Sequence, residues 1–99
     1  MSNINQQQIP PVLYLVFNRL GTVKRSFEAI RKAAPAQLFI AADGPRNDRS
    51  GEKEICQAVR DYILEHIDWK CEVKIRFQEK NFGCKVAVSS AIDWFFFRG

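Results

Sequence analysis

Two loops and one turn of this chain carry side chains that suit a phosphorylated ligand. They are Asn18-Arg19, Asp43-Gly44-Pro45-Arg46 and Glu79-Lys80-Asn81-Phe82-Gly83. An arginine guanidinium offers a planar fork of donors that matches phosphate oxygens and keeps its charge. A carboxylate accepts from a ribose hydroxyl or from the N3–H of uracil. A glycine opening a helix lets the backbone approach a ligand closely. Arg19, Asp43 and Gly83 thus suit diphosphate, nucleoside and backbone approach respectively. Each also has a plainer reading. Asp43 shapes an Asp-Gly-Pro turn, Arg19 is a solvated surface charge, and Asn81 and Gly83 cap a strand-to-helix turn. The sequence leaves both readings open.

These loops need a scaffold that brings them together. Pro10-Pro11 starts an extended segment, because proline disfavours helix in the residue before it and has no N–H. Val12 to Phe17 is apolar without alternation, which fits a strand covered on both faces. Thr22 is the expected cap of a first helix, with Val23, Phe27, Ile30 and Ala34 on its apolar stripe and Pro35 stopping it. Leu38 to Ala42 is a second unalternating strand. Ser50 is the expected cap of a second helix, with Glu52 and Glu54 at its positive end. Its predicted buried stripe is Ile55, Val59, Ile63 and Ile67. Cys71, Val73, Ile75 and Phe77 alternate with Glu72, Lys74 and Arg76, which predicts a strand with one wet face. Val86 to Phe97 is a last, apolar helix.

The pattern β-α-β-α-β-α predicts an α/β fold of three α/β/α layers, with parallel strands near 11–17, 37–42 and 71–77 in the order 3-2-1. All three loops then meet at the carboxyl ends of the strands, where such sheets bind ligands. In this order the first strand is an edge. Six apolar residues on an open edge template another strand, so a homo-oligomer, or a missing strand beyond Gly99, is expected. Phe95, Phe96 and Phe97 in succession cannot all face one core.

At 99 residues the chain makes one small domain, 10–99, behind a polar, Gln-rich leader at 1–9 expected to be flexible. Its 15 Lys and Arg against 11 Asp and Glu give +4, which favours anionic partners without the basic runs of a nucleic-acid binder. No apolar run approaches a membrane span, and no secretory signal opens the chain. Cys56, Cys71 and Cys84 are odd in number and widely spaced, which fits reduced thiols and a cytoplasmic protein. His66 has no second histidine to share a metal. The sequence contains neither a Gly-x-Gly-x-x-Gly fingerprint nor a phosphate-binding Gly-x-x-x-x-Gly-Lys-Ser/Thr loop.

Pro11 to Arg19, Phe39 to Pro45, and Glu79 to Lys85 with Ala87 and Ser89 to Phe95 together resemble the N-terminal part of GT-A-fold glycosyltransferases. The likeness is to bacterial nucleotide-sugar transferase-like proteins, including hemolytic-protein-like ones, and to the N-acetylglucosaminyltransferase I group. It covers roughly Pro10 to Phe96. The resemblance implies half of a Rossmann-like GT-A fold that takes a nucleotide-diphospho-sugar, usually of the uridine diphosphate type. It implies nucleotide contacts from Arg19, Asp43, Gly44, Asn81, Gly83, Lys85 and Ser89. It also implies Mn²⁺ or Mg²⁺ on an acidic motif in relatives, a motif that this chain lacks together with the catalytic base. The expectation is therefore a nucleotide-binding half that binds no metal and transfers no sugar alone. The alternative is a non-catalytic α/β module that self-associates.

Overall fold

The computed structural model describes residues 9–97. Residues 1–8, nearly all of the expected leader, lie outside the described residues. Two apolar stretches and the alternating one become strands: β1 (Val12–Val16), β2 (Gln37–Ala42) and β3 (Glu72–Phe77). They alternate with α1 (Leu20–Ala33), α2 (Glu52–Glu65) and α3 (Cys84–Phe96). The strands form one parallel sheet in the order β1-β2-β3, which is the expected 3-2-1. Val12 stands beside Leu38 and Leu38 beside Val73, while Val16, Ala42 and Phe77 line up at the carboxyl end.

The unalternating apolar run of β2 needs cover on both faces, and it has it. Leu38, Phe39 and Ile40 are fully buried. On one face Val23 and Phe27 of α1 and Val59 and Ile63 of α2 pack around Leu38 and Ile40. On the other, Phe39 meets the rings of Trp94 and Phe95 edge-on, at centroid distances of 5.4 and 5.0 Å. The result is a three-layer α/β/α domain, half of a Rossmann-like fold. Phe27 is also the hub of an aromatic cluster with Tyr14, Tyr62 and Trp69. The Trp69 indole satisfies its N–H on the Pro35 carbonyl at 2.8 Å.

Several local expectations are corrected. The caps fall on Arg19 and Gly51 rather than Thr22 and Ser50, and neither cap makes a side-chain hydrogen bond. Gly51 takes φ 82°, a conformation open to glycine at little cost. α2 therefore buries Glu52, Cys56, Val59 and Ile63, and leaves Ile55 exposed. Ile67 lies beyond the end of that helix. α3 starts at Cys84, two residues ahead of the expected start. At the end of α1, Ala34 adopts a left-handed φ of 48° and donates its N–H to the Ile30 carbonyl, just ahead of Pro35. The final aromatics split as helix geometry requires: Phe95 packs on Phe39, while Phe96 and Phe97 are exposed. No helix among the described residues is long and apolar enough to cross a membrane.

Candidate functional site

Parallel strands deliver their carboxyl ends, and the loops that follow, to one rim of the sheet. A cleft of 590 Å³ opens there and continues along the outer edge of β1, walled by α1 and α3. Arg19, Asp43, Asn81 and Gly83 all line it, so the sheet brings these expected residues together.

Asp43 is the hinge of the arrangement. Its side chain is buried at the end of β2 and accepts four hydrogen bonds. Oδ1 accepts the Gly44 and Phe82 N–H groups, each at 2.9 Å. Oδ2 accepts the Gly83 N–H at 3.1 Å and Asn81 Nδ2 at 3.2 Å. Asn81 also donates to the Gly44 carbonyl at 2.8 Å. A carboxylate this fully engaged welds the loop after β2 to the turn ahead of α3. Gly44 sits inside the weld: a Cβ there would lie 2.5 Å from the Lys80 backbone. Its place in the candidate set is therefore as a close-approach point between two loops.

Arg19 is exposed at the start of α1. Gly83 opens α3 at φ 86°, with open space where a Cβ would project. Lys85 and Ser89 share an exposed face of α3 outside the cleft lining. Ser89 returns its hydroxyl to the Val86 carbonyl of its own helix at 3.3 Å. The geometry does not bring these two to the cleft. Cys84, Ala87 and Val88 take that side of α3 instead.

The residues missed by sequence reasoning are charged. Glu52 is buried at the start of α2, yet it accepts from Arg46 Nε at 3.0 Å, Arg46 Nη2 at 2.6 Å, the Arg46 N–H at 2.8 Å and Asn18 Nδ2 at 3.0 Å. These partners, the Arg46 side chain first, hold its carboxyl down to about 2. The pair fixes the guanidinium of Arg46 at the cleft wall, 5.7 Å from the Phe17 ring. Arg60 clamps the ends of β2 and β3 by donating to the Asp43 and Gln78 carbonyls at 3.1 and 2.8 Å. Arg76 reaches across from β3 to the Ser90 carbonyl at 2.8 Å. No fixed spacing signals such pairings; the only sequence cue was Arg46 following the Asp-Gly-Pro turn.

The electrostatics of the rim favour an anion. Arg19, Arg46 and Arg76 line the cleft with one acidic residue, Asp43, and the charge of Arg46 is met by Glu52 at 2.6 Å, which leaves Arg19 and Arg76 against Asp43. α1 and α3 both start at the cleft, with no side-chain cap and no acidic residue in the first turn. The dipole and first N–H groups of α1 favour negative charge there, while at α3 the Asp43 carboxylate already accepts the Phe82 and Gly83 N–H groups. α2 instead carries Glu52 and Glu54 in its first turn. Among the described residues no group of three His, Cys, Asp or Glu side chains is placed to hold a metal ion. Comparison with protein-family models, with curated proteins and with solved structures returned no match.

Proposed function

We propose that this chain is the nucleotide-binding half of a glycosyltransferase, taking a nucleotide-diphospho-sugar donor of the uridine diphosphate type. The observation that carries the reading is the cleft rim: the N-terminus of α1, with no side-chain cap and no first-turn acid, stands beside the exposed Arg19, opposite the Asn81-Gly83 turn that Asp43 holds in place. Such a rim suits a diphosphate, which needs N–H donors and fixed positive charge. The apolar floor beside it suits a base or sugar face. The resemblance of Pro11 to Arg19, Phe39 to Pro45 and Glu79 to Phe95 to GT-A-fold enzymes supplies the donor class.

Asp43 enters this reading as the organiser of the Asn81-Gly83 turn, since its oxygens already accept four donors. Mn²⁺ or Mg²⁺, expected in relatives, does not fit the residues here. A hard cation takes several oxygen ligands, and the buried carboxylates Asp43 and Glu52 are each spent on protein donors. No step of sugar transfer is routed through this chain. Cytoplasmic residence is part of the proposal, supported by three free cysteines.

Titration with uridine diphosphate followed by NMR tests the reading. The amides of Arg19, Asn81 and Gly83 should shift first, and Arg19→Ala should weaken the response without unfolding the chain. Absence of shifts at millimolar ligand would sink it.

A second reading, a non-catalytic module that self-associates, is favoured by one observation. The outer edge of β1 meets no strand among the described residues, and Leu15 on it is 41% exposed.

A further inference from the structure

The two edges of this sheet are built differently. β3 carries Glu72, Lys74 and Arg76 on alternate positions. Charges on an edge strand discourage pairing with another chain. β1 carries no charge, proline or glycine within Val12–Val16. Its outer N–H and C=O groups face the cleft between α1 and α3. The strand is also palindromic: Val12-Leu13-Tyr14-Leu15-Val16 reads the same in both directions.

From this we infer that a second copy of the chain docks on β1, antiparallel and centred on Tyr14, and joins the two three-stranded sheets into one. The inference rests on the self-association reading and does not require nucleotide binding, although a second copy on β1 fills the part of the cleft that runs along that strand.

The palindrome selects the occupant and the register. A two-fold axis perpendicular to the sheet makes antiparallel neighbours of identical strands. Centring it on Tyr14 sets Val12 opposite Val16 and Leu13 opposite Leu15, with Tyr14 opposite its own copy. Opposite residues in an antiparallel pair share a face. The valines and Tyr14 then lie on the α1 side, and the leucines on the α3 side. No charge is buried and no apolar residue meets a polar one. A register shifted by two residues would set Pro10 or Asn18 against the strand and lose this match.

The helices fit the same operation. The axis keeps α3 and its copy on one face of the joined sheet and α1 and its copy on the other. Val88 lines the cleft, and Ile92, one turn further along α3, is 39% exposed. Both stand ready to meet the second copy. Stable dimers bury about 800 Å² on each partner, so contacts from α1 and α3 must add to those of β1. Tyr14 is already oriented: its hydroxyl pairs with Ser26 and its ring with Phe27 at 6.1 Å. No further ordering of this side chain is needed on association.

Two measurements on the intact chain test the inference together. Sedimentation equilibrium should give twice the 11.4 kDa chain mass. Hydrogen exchange should show protection of the 12–16 amides that grows with protein concentration. Leu15→Lys should return the chain to a monomer, while Ile75→Lys on the opposite edge should leave the dimer intact. A clean 11.4 kDa monomer would overturn both the inference and self-association. A dimer with β1 amides unprotected at every concentration would overturn the geometry and leave self-association standing. Protection of β1 that is independent of concentration and lost on deleting residues 1–8 would assign the edge to the leader and overturn the second copy. If Leu15→Lys fails to fold, exchange on the unaltered chain still decides.

Discussion

The α-carbon of Gly44 is pressed against the peptide group of Lys80 so closely that a methyl group at position 44 would lie 2.5 Å from the Lys80 carbonyl carbon and oxygen. The clash is with backbone on both sides, and neither loop can swing aside without breaking the bonds of Asp43. Gly44→Ala should destabilise the fold by about 1–3 kcal/mol, the range of overpacked sites. Urea denaturation gives the loss. Chemical shift changes should concentrate at residues 79–83.

Asp43→Ala should cost more than Asp43→Asn. Alanine leaves the Phe82 and Gly83 N–H groups without their acceptor, at about 1–3 kcal/mol for each donor left buried. Asparagine retains one oxygen and loses part of this. Amide exchange at Phe82 and Gly83 should accelerate most in the alanine variant, while the amides of α1 stay protected.

Acid should weaken the molecule through Glu52. Its carboxyl is held down to about 2 from an ordinary 4.5 by Arg46 and Asn18. A depressed folded-state pKa contributes stability that is complete above the unfolded value and is lost as the pH falls through the folded one. The loss therefore runs from about pH 4.5 down to about pH 2. Glu52→Gln should lower stability at neutral pH and flatten this part of the pH profile. A variant with an unchanged acid limb would show that another carboxyl sets it.

Phe27→Ala should cost about 3–5 kcal/mol, as large-to-small changes of a buried aromatic do. Phe27 is fully buried and touches the rings of Tyr14, Tyr62 and Trp69. Phe97→Ala, at an exposed helix end, should leave the midpoint of thermal unfolding unchanged.

β2 was legible because burial on two faces writes itself as an unbroken apolar run, Leu38 to Ala42, and β3 because a wet face writes itself as alternation. Their parallel order followed from the alternation with helices. The start of α2 was not legible. Glu52 reads as a surface residue favoured by the helix dipole, and only the fold reveals Arg46 beside it. Burying Glu52 rotates the helix so that Cys56 replaces Ile55 on the inner face. The site was half legible. Arg19, Asp43, Asn81 and Gly83 converge because strand ends converge. Lys85 and Ser89 do not, because the side of α3 that meets the cleft was set by Ala87, Val88 and Ala91. The four bonds that occupy Asp43 leave no trace in spacing at all.

Asp43 reaches Asn81, Phe82 and Gly83 across 38 to 40 residues of chain. On the ribosome, β2 is therefore complete long before the donors it needs have been made. α3 follows all three strands in the chain, so the face of Phe39 that Trp94 and Phe95 cover is covered only by residues made after β3.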